Sequence, residues 1–333
     1  MRVAINGFGR IGRTIFRANL LNPKIDIVAI NDLGVPEMGA YLLKYDSNYG
    51  QLPMDIKGEA GKLTVNGKEI TLVSSRNPEE LPWKDLDIDL VIECTGAFTD
   101  KAGASKHLQA GAKRVMISAP AKDAVDGTFV MGVNHELFDP AKDFVISNAS
   151  CTTNCLAPVA KVLNDSFGIE RGLMSTAHSY TNDQNLMDND HKDFRRSRAA
   201  ALNMLLTSTG AAKAIGLVIP DLDKKLNGVA IRVPTPVVSL VDLTVDLKKP
   251  ATAEEINAAF KAAEAGPMKG FLGTTDLPLS SMDFKGDSRS AIVDLNETQV
   301  MEGKMAKIFA WYDNEWGYSM RCLDLAAYIA SKV

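Results

Sequence analysis

At 333 residues the chain is longer than one ordinary core and predicts two domains, with 46% apolar residues to bury both. A net charge near −4 with no long basic run gives no reason to expect a nucleic-acid or membrane partner, although local arginine clusters suit small anions. Four cysteines make no disulfide framework at this length, and Met1 leads directly into Arg2-Val3-Ala4-Ile5 without a basic-then-apolar leader, so a reducing, cytoplasmic setting is expected.

Residues 2–120 alternate short apolar runs with helical patterns: Val3-Ala4-Ile5, a helix over 10–22, a run over 25–30, then Leu90-Val91-Ile92-Glu93 and Val115-Met116-Ile117. Strands buried on both faces read this way, which predicts a parallel α/β sheet. Gly7-Phe8-Gly9-Arg10-Ile11-Gly12 follows the first strand and opens the helix, and Asp32 ends the second run. That order and spacing form the βαβ dinucleotide fingerprint. Gly7, Gly9 and Gly12 let the backbone approach a pyrophosphate on the helix N-terminus, and Asp32 accepts from ribose hydroxyls. A carboxylate there repels an extra 2′-phosphate, so the expected cofactor is NAD, in preference to NADP. No metal site is expected.

Ser147-Asn148-Ala149-Ser150-Cys151-Thr152-Thr153-Asn154-Cys155 begins a second apolar-periodic helix, whose stripe is Leu156, Val159, Val162, Leu163 and Phe167. Ser150 reads as its N-cap and Cys151 as its first residue. A helix N-terminus favours the thiolate and lowers a thiol's pKa, which makes Cys151 a candidate nucleophile. Cys155, one turn on, is expected to pack beneath the site, and Pro158 to kink the first turns. Cys94 and Cys322 lie in apolar patterns and are expected in the core.

From about residue 170 the pattern changes. The runs 226–233 and 237–247 flank Pro234-Thr235-Pro236, and Val241, Leu243, Val245 and Leu247 alternate with Asp242, Thr244 and Asp246, which predicts a half-buried, mainly antiparallel sheet. Thr252-Ala253-Glu254-Glu255 is a capping box. Residues 305–312 read as a strand and 315–331 as a terminal helix. The fold class is therefore α/β: a Rossmann-type dinucleotide-binding domain over 1–149 plus an α+β catalytic domain over 150–314, with the terminal helix 315–333 packing back onto the first.

A nucleophilic thiol needs a base and anion-binding partners. His178 ends a predicted strand over 172–177 and is the candidate base. His107 and His135 read as surface residues and His191 as a loop-shaping one. Arg195, Arg196 and Arg198, the hydroxyl-rich Thr207-Ser208-Thr209-Gly210, and Arg232 together suit a phosphate pocket.

Taken together, INGFGRIGR at 5–13, the block at 147–155, His178 with Thr181, STGAAKA at 208–214, RVPTP at 232–236 and WYDNEWGYS at 311–319 resemble the phosphorylating glyceraldehyde-3-phosphate dehydrogenase family over essentially the whole chain. The resemblance implies oxidation of glyceraldehyde 3-phosphate to 1,3-bisphosphoglycerate with NAD and inorganic phosphate, through a thiohemiacetal and a thioester on Cys151. It implies His178 as base and oxyanion partner. It also implies NAD contacts from Arg10, Ile11, Asp32, Arg76, Ser118 and Asn314, with Tyr318 near the nicotinamide, and phosphate contacts from Ser150, Thr152, Thr181, Arg196, Thr209, Gly210 and Arg232. Leu206, Val237 and Asp190 depart from the family pattern, and Asp190 adds negative charge against NADP. The nearest alternatives are erythrose-4-phosphate dehydrogenase, against which the Ser208-Thr209-Gly210 phosphate segment argues, and a non-catalytic NAD-binding regulator, against which Cys151, His178 and Asn314 argue. The polar stretch from about 179 to 202 has no clear secondary structure. The resemblance places it against another subunit, so a homotetramer is expected.

Overall fold

The apolar runs of the first third lie side by side. Arg2–Asn6 pairs parallel with Asp26–Asn31 on one side and Leu90–Glu93 on the other. The sheet continues in parallel through Arg114–Ile117, Val145–Ser147 and Gly127–Thr128 at one end and Lys68–Val73 at the other. Lys62–Val65 and Ile56–Glu59 then add antiparallel, which completes nine strands. Parallel neighbours need crossovers, supplied among others by helices Arg10–Leu21 and Lys101–Gln109. Strands covered on both faces explain why Val3, Ala4, Ile5, Val91 and Ile92 are all buried and do not alternate.

The computed structural model describes residues 1–333, which divide into two units: residues 1–129, 135–149 and 319–333, and residues 130–134 with 150–318. Nothing in the sequence pattern announces the excursion at 130–134. No helix is long and apolar enough to cross a membrane.

The second unit is built on an eight-stranded sheet. Ile169–Ser179 pairs parallel with Leu226–Val233 and antiparallel with Ser239–Leu247, which pairs antiparallel with Met305–Tyr312. Leu272–Thr275 and Ala291–Asp294 form the other parallel pair. The sheet is thus mainly antiparallel. Val241, Leu243, Val245 and Leu247 are buried while Asp242, Thr244 and Asp246 are half-buried, which is the alternation of a strand with one dry face. That strand starts at Ser239 and not at Val237, because Val238 sits in the left-handed region at φ 70° and breaks the extended run.

Helix Cys151–Phe167 lies against this sheet and against helices Ala211–Val218 and Ala253–Ala265. Leu156, Val159 and Leu163 are fully buried there, each contributing roughly 1.5–3 kcal/mol relative to exposure. The helix runs through Pro158, which removes one intrahelical hydrogen bond without ending it, and stops at Gly168, whose φ is 71°. Between Ser179 and Leu205 the chain forms turns only, pinned by backbone bonds such as Asn185 N to Arg196 O at 3.1 Å and Ala200 N to Asn185 O at 3.0 Å. The terminal helix spans Trp316–Ala330, and the Asp313 carboxylate accepts from Glu315 N and Trp316 N at its start.

Candidate active site

In the first unit the glycine turn is set by close approach. Gly7 has φ 95°, and a Cβ there would lie 2.8 Å from Thr95 N, while a Cβ on Gly12 would lie 2.1 Å from Gly7 O. A Cβ on Gly9 would meet nothing within 4 Å, so the middle glycine leaves its outer side open. Gly9 is the N-cap of helix Arg10–Leu21 and offers no side-chain cap, so the first-turn N–H groups are available to an anion. Both Asp32 oxygens are oriented from behind: Oδ1 accepts from Phe8 N at 2.9 Å and Oδ2 from Gly34 N at 3.0 Å. A cleft of about 380 Å³ opens here, lined by Gly7, Gly9, Asp32, Arg76, Thr95 and Phe98 among others. An open glycine edge, an uncapped helix and a fixed carboxylate fit a dinucleotide diphosphate and its ribose.

Not every residue expected at the cofactor points to this cleft. The Arg10 guanidinium is bound to Asp46 at 2.6 Å, which turns its side-chain charge to that carboxylate. Ile11 is half-buried in the same turn. The Ser118 hydroxyl donates to Glu93 O at 2.9 Å. Cys94 is not core: it is half-buried and lines the cleft, because strand Leu90–Glu93 ends one residue before it. Cys322 is fully buried.

In the second unit Ser150 caps helix Cys151–Phe167, its hydroxyl accepting from Thr153 N at 3.0 Å, and Cys151 is the first helical residue. Ala149, at φ 54°, turns the chain into that cap. Thr176 and His178, two apart on strand Ile169–Ser179, share its buried face. His178 Nε2 lies 3.4 Å from Cys151 Sγ. Its Nδ1 lies 2.7 Å from Ser179 O and 2.7 Å from Arg232 Nη1. A carbonyl only accepts and a guanidinium only donates, so Nδ1 serves one of them at a time. With its proton on the carbonyl side, Nδ1 leaves the Nε2 lone pair facing the thiol.

Burial and Arg232 together hold His178 down at about 3, so the imidazole is neutral at physiological pH. Burial pushes the Cys151 thiol up, against the pull of Arg232 and of the Thr152 hydroxyl and N–H. Burial thus works against the lowering expected at a helix N-terminus, and it exceeds the pull of Arg232 and of the Thr152 and Cys151 N–H groups. Cys155 is fully buried, with Sγ 3.7 Å from Ala310 O, and all four cysteines are free thiols.

The phosphate candidates divide. Strand register sets Arg232 opposite His178 and Leu205 opposite Arg232. Arg196 Nη2 donates to Thr207 Oγ1 at 2.7 Å, and its Nη1 is ion-paired with Asp183. Thr181 lies two residues past the end of the His178 strand, its N–H 3.4 Å from Gln184 Oε1. Thr209 and Gly210 follow Ser208, which pairs with Val229 and not with Arg232, so they belong to the turn into helix Ala211–Val218. Asn314 Oδ1 accepts from Ser179 Oγ at 2.7 Å and Ser239 Oγ at 3.1 Å, which fixes Nδ2 as the donating end of that amide. Tyr318 is buried.

Sequence reasoning missed Tyr312. Its hydroxyl lies 2.9 Å from both Thr152 Oγ1 and Thr176 Oγ1, tying the start of the thiol's helix to the histidine's strand, and its ring meets that of His178 edge-on. The signal was its place as an inward residue of the alternating strand Met305–Tyr312. His107, expected at the surface, is fully buried and bonded to Glu93 and Trp83, because its helix turns that face onto the sheet. His135 meets the Tyr328 ring edge-on, and His191 Nδ1 accepts from Asp193 N at 2.9 Å, which shapes its loop as expected.

Residues 1–101 match the family profile described as glyceraldehyde 3-phosphate dehydrogenase, NAD binding domain, and residues 150–314 match the corresponding C-terminal domain. The chain is 57% identical over 331 residues to glyceraldehyde-3-phosphate dehydrogenase 1 of Bacillus cereus, covering 99% of each chain. It is 58% identical over 335 residues to glyceraldehyde-3-phosphate dehydrogenase 2 of Nostoc sp., covering 100% of this chain and 99% of the relative. With glyceraldehyde-3-phosphate dehydrogenase of Geobacillus stearothermophilus the identity is 57% over 332 residues, covering 100% and 99%.

Proposed function

The chain belongs to the glyceraldehyde-3-phosphate dehydrogenase family, and on that premise we propose that Cys151 and His178 carry its reaction, the NAD-dependent oxidation of glyceraldehyde 3-phosphate with inorganic phosphate. The observation that supports these roles is the thiol facing a neutral imidazole at 3.4 Å with Arg232 behind the ring. His178 Nε2 takes the thiol proton as Sγ bonds to the aldehyde carbon. The oxyanion of the resulting thiohemiacetal is stabilised by the Cys151 N–H at the helix start and by the imidazolium just formed. Bound NAD supplies the hydride acceptor that turns the thiohemiacetal into a thioester. Inorganic phosphate then attacks the thioester carbonyl, the C–S bond breaks, an acyl phosphate is released, and the leaving Cys151 thiolate takes back its proton from the His178 imidazolium.

Arg232, Arg196, Thr181, Ser150, Thr152, Thr209 and Gly210 hold the two phosphate groups, the substrate's own and the attacking one. The Arg196 ion pair with Asp183 has to open, or be shared, when an anion arrives. The glycine turn, Asp32, Arg76, Asn314 and Tyr318 serve the cofactor, with Arg10, Ile11 and Ser118 contributing from the backbone or from behind. Asp32 favours NAD over NADP, to be read as a higher kcat/KM with NAD; equal values would refute that preference. Iodoacetate tests the thiol's role: it is expected to abolish NAD reduction, with prior glyceraldehyde 3-phosphate slowing the loss. Full activity after stoichiometric alkylation of Cys151 would overturn the assignment.

The same reading includes a homotetramer. Leu186 (79% exposed), Met187, Phe194 (90%), Leu202 and Met204 are exposed along the turn-rich stretch between Ser179 and Leu205, more apolar surface than a solvated loop ordinarily carries.

A further inference from the structure

Beneath the dinucleotide cleft the first unit buries a carboxylate that no step above uses. Glu93 is 1% exposed, and no lysine or arginine pairs with it. It is satisfied by donors arriving along two relays. In the first, the Trp83 indole N–H donates to His107 Nδ1 at 2.9 Å. An indole can only donate, so Nδ1 is an acceptor and the ring's proton is on Nε2, which donates to Glu93 Oε2 at 3.1 Å. In the second, Ser75 N donates to Asn31 Oδ1 at 2.9 Å, Asn31 Nδ2 donates to Asn6 Oδ1 at 2.6 Å, and Asn6 Nδ2 donates to Glu93 Oε2. Thr95 adds its N–H, at 2.7 Å, and its hydroxyl to Glu93 Oε1. Both neighbours of Oε2, Asn6 Nδ2 and His107 Nε2, are donors, and they lie 3.2 Å from each other as they converge on it.

The residues so held line the cleft. Asn6 precedes the glycine turn, Asn31 precedes Asp32, Ser75 precedes Arg76, and Thr95 packs against Gly7. We propose that Glu93, oriented by His107 and Trp83, is the positioning residue that holds four separate segments of the cofactor cleft in register, so that the dinucleotide's affinity depends on a carboxylate it does not touch. The proposal rests on reading that cleft as the NAD site. A glutamine at this position has the same shape but must turn an N–H₂ toward one of the donors, leaving a buried donor unpaired.

The test is calorimetric titration of NAD into the full-length chain, alongside iodoacetamide alkylation of Cys151 without cofactor. Glu93→Gln is expected to raise the NAD Kd about tenfold or more, with alkylation unchanged because the thiol lies in the other unit. Trp83→Phe removes the N–H that fixes the tautomer, together with part of a fully buried ring, and about a threefold rise is expected. A merely structural role would lower melting temperature without moving the Kd. A Glu93→Gln chain that alkylates normally and binds NAD within twofold of wild type overturns the proposal. Should Glu93→Gln fail to fold, Trp83→Phe decides, an unchanged Kd counting against it. A wild-type chain that binds no NAD overturns the underlying reading, and the proposal with it.

Discussion

Among single residues the proposed chemistry turns on one pair, Cys151 and His178, whose elements are tied together by the Tyr312 hydroxyl between Thr152 and Thr176. Cys151→Ser and His178→Asn are each expected to lower turnover by about 10²–10⁴ while leaving the NAD Kd within a few-fold, since the glycine turn lies elsewhere in the chain. Steady-state rates and cofactor titration check this; wild-type turnover in Cys151→Ser would contradict it. The same histidine makes stability depend on pH. Its value falls from 6.5 in the unfolded chain to about 3 when folded, so below 6.5 the unfolded state binds the extra proton. Its contribution is therefore full above pH 6.5 and is lost as pH falls toward 3, on the order of 1.4 kcal/mol per pH unit within that window. Urea melts at pH 7 and pH 5 should show a smaller acid loss in His178→Asn than in wild type; equal losses would mean the ring is not buried neutral. The placement of both residues was legible in the sequence, Cys151 from the cap before it and His178 from its strand end. Their proton affinities were not, because burial depends on strands far away in the chain. His107 was misread for the same reason: a helix sequence does not announce the carboxylate that the sheet brings beneath it.

Elements were legible where the cue was local. Thr252 was read as half of a capping box, and its side chain does accept from Glu255 N while the Glu255 carboxylate accepts from Thr252 N. Thr252→Ala is expected to cost about 1 kcal/mol of stability and leave kcat unchanged, since the helix Ala253–Ala265 presents no site residue. A chemical melt and an activity assay check both halves, and a loss of turnover would show that this helix bears on the site. The fingerprint at Gly7–Gly12 was legible because its glycines answer to contacts inside the same βαβ unit. The start of strand Ser239–Leu247 was not, since the left-handed Val238 is imposed by packing: Val237 and Val238 are both buried, and Ser239 is held by Ser179 and Asn314. Propensity assigns valine to an extended run, and tertiary context overrides it.

For the whole molecule, one unit holds the dinucleotide fingerprint and the other the Cys151–His178 pair. The stretch between Ser179 and Leu205 has no ladder or helix of its own and exposes large apolar side chains, which is the basis for expecting assembly. Light scattering at micromolar protein should give about four times 36.0 kDa; a fully active species of 36.0 kDa would refute the tetramer. In the proposed mechanism the thioester on Cys151 is released by phosphate and not by water. That step is tested most directly by following NAD reduction with glyceraldehyde 3-phosphate, with and without inorganic phosphate. Sustained NADH formation is expected only with phosphate, accompanied by an acyl phosphate, with no more than about one turnover per site without it. Equal sustained rates in both conditions, with free acid as product, would contradict it.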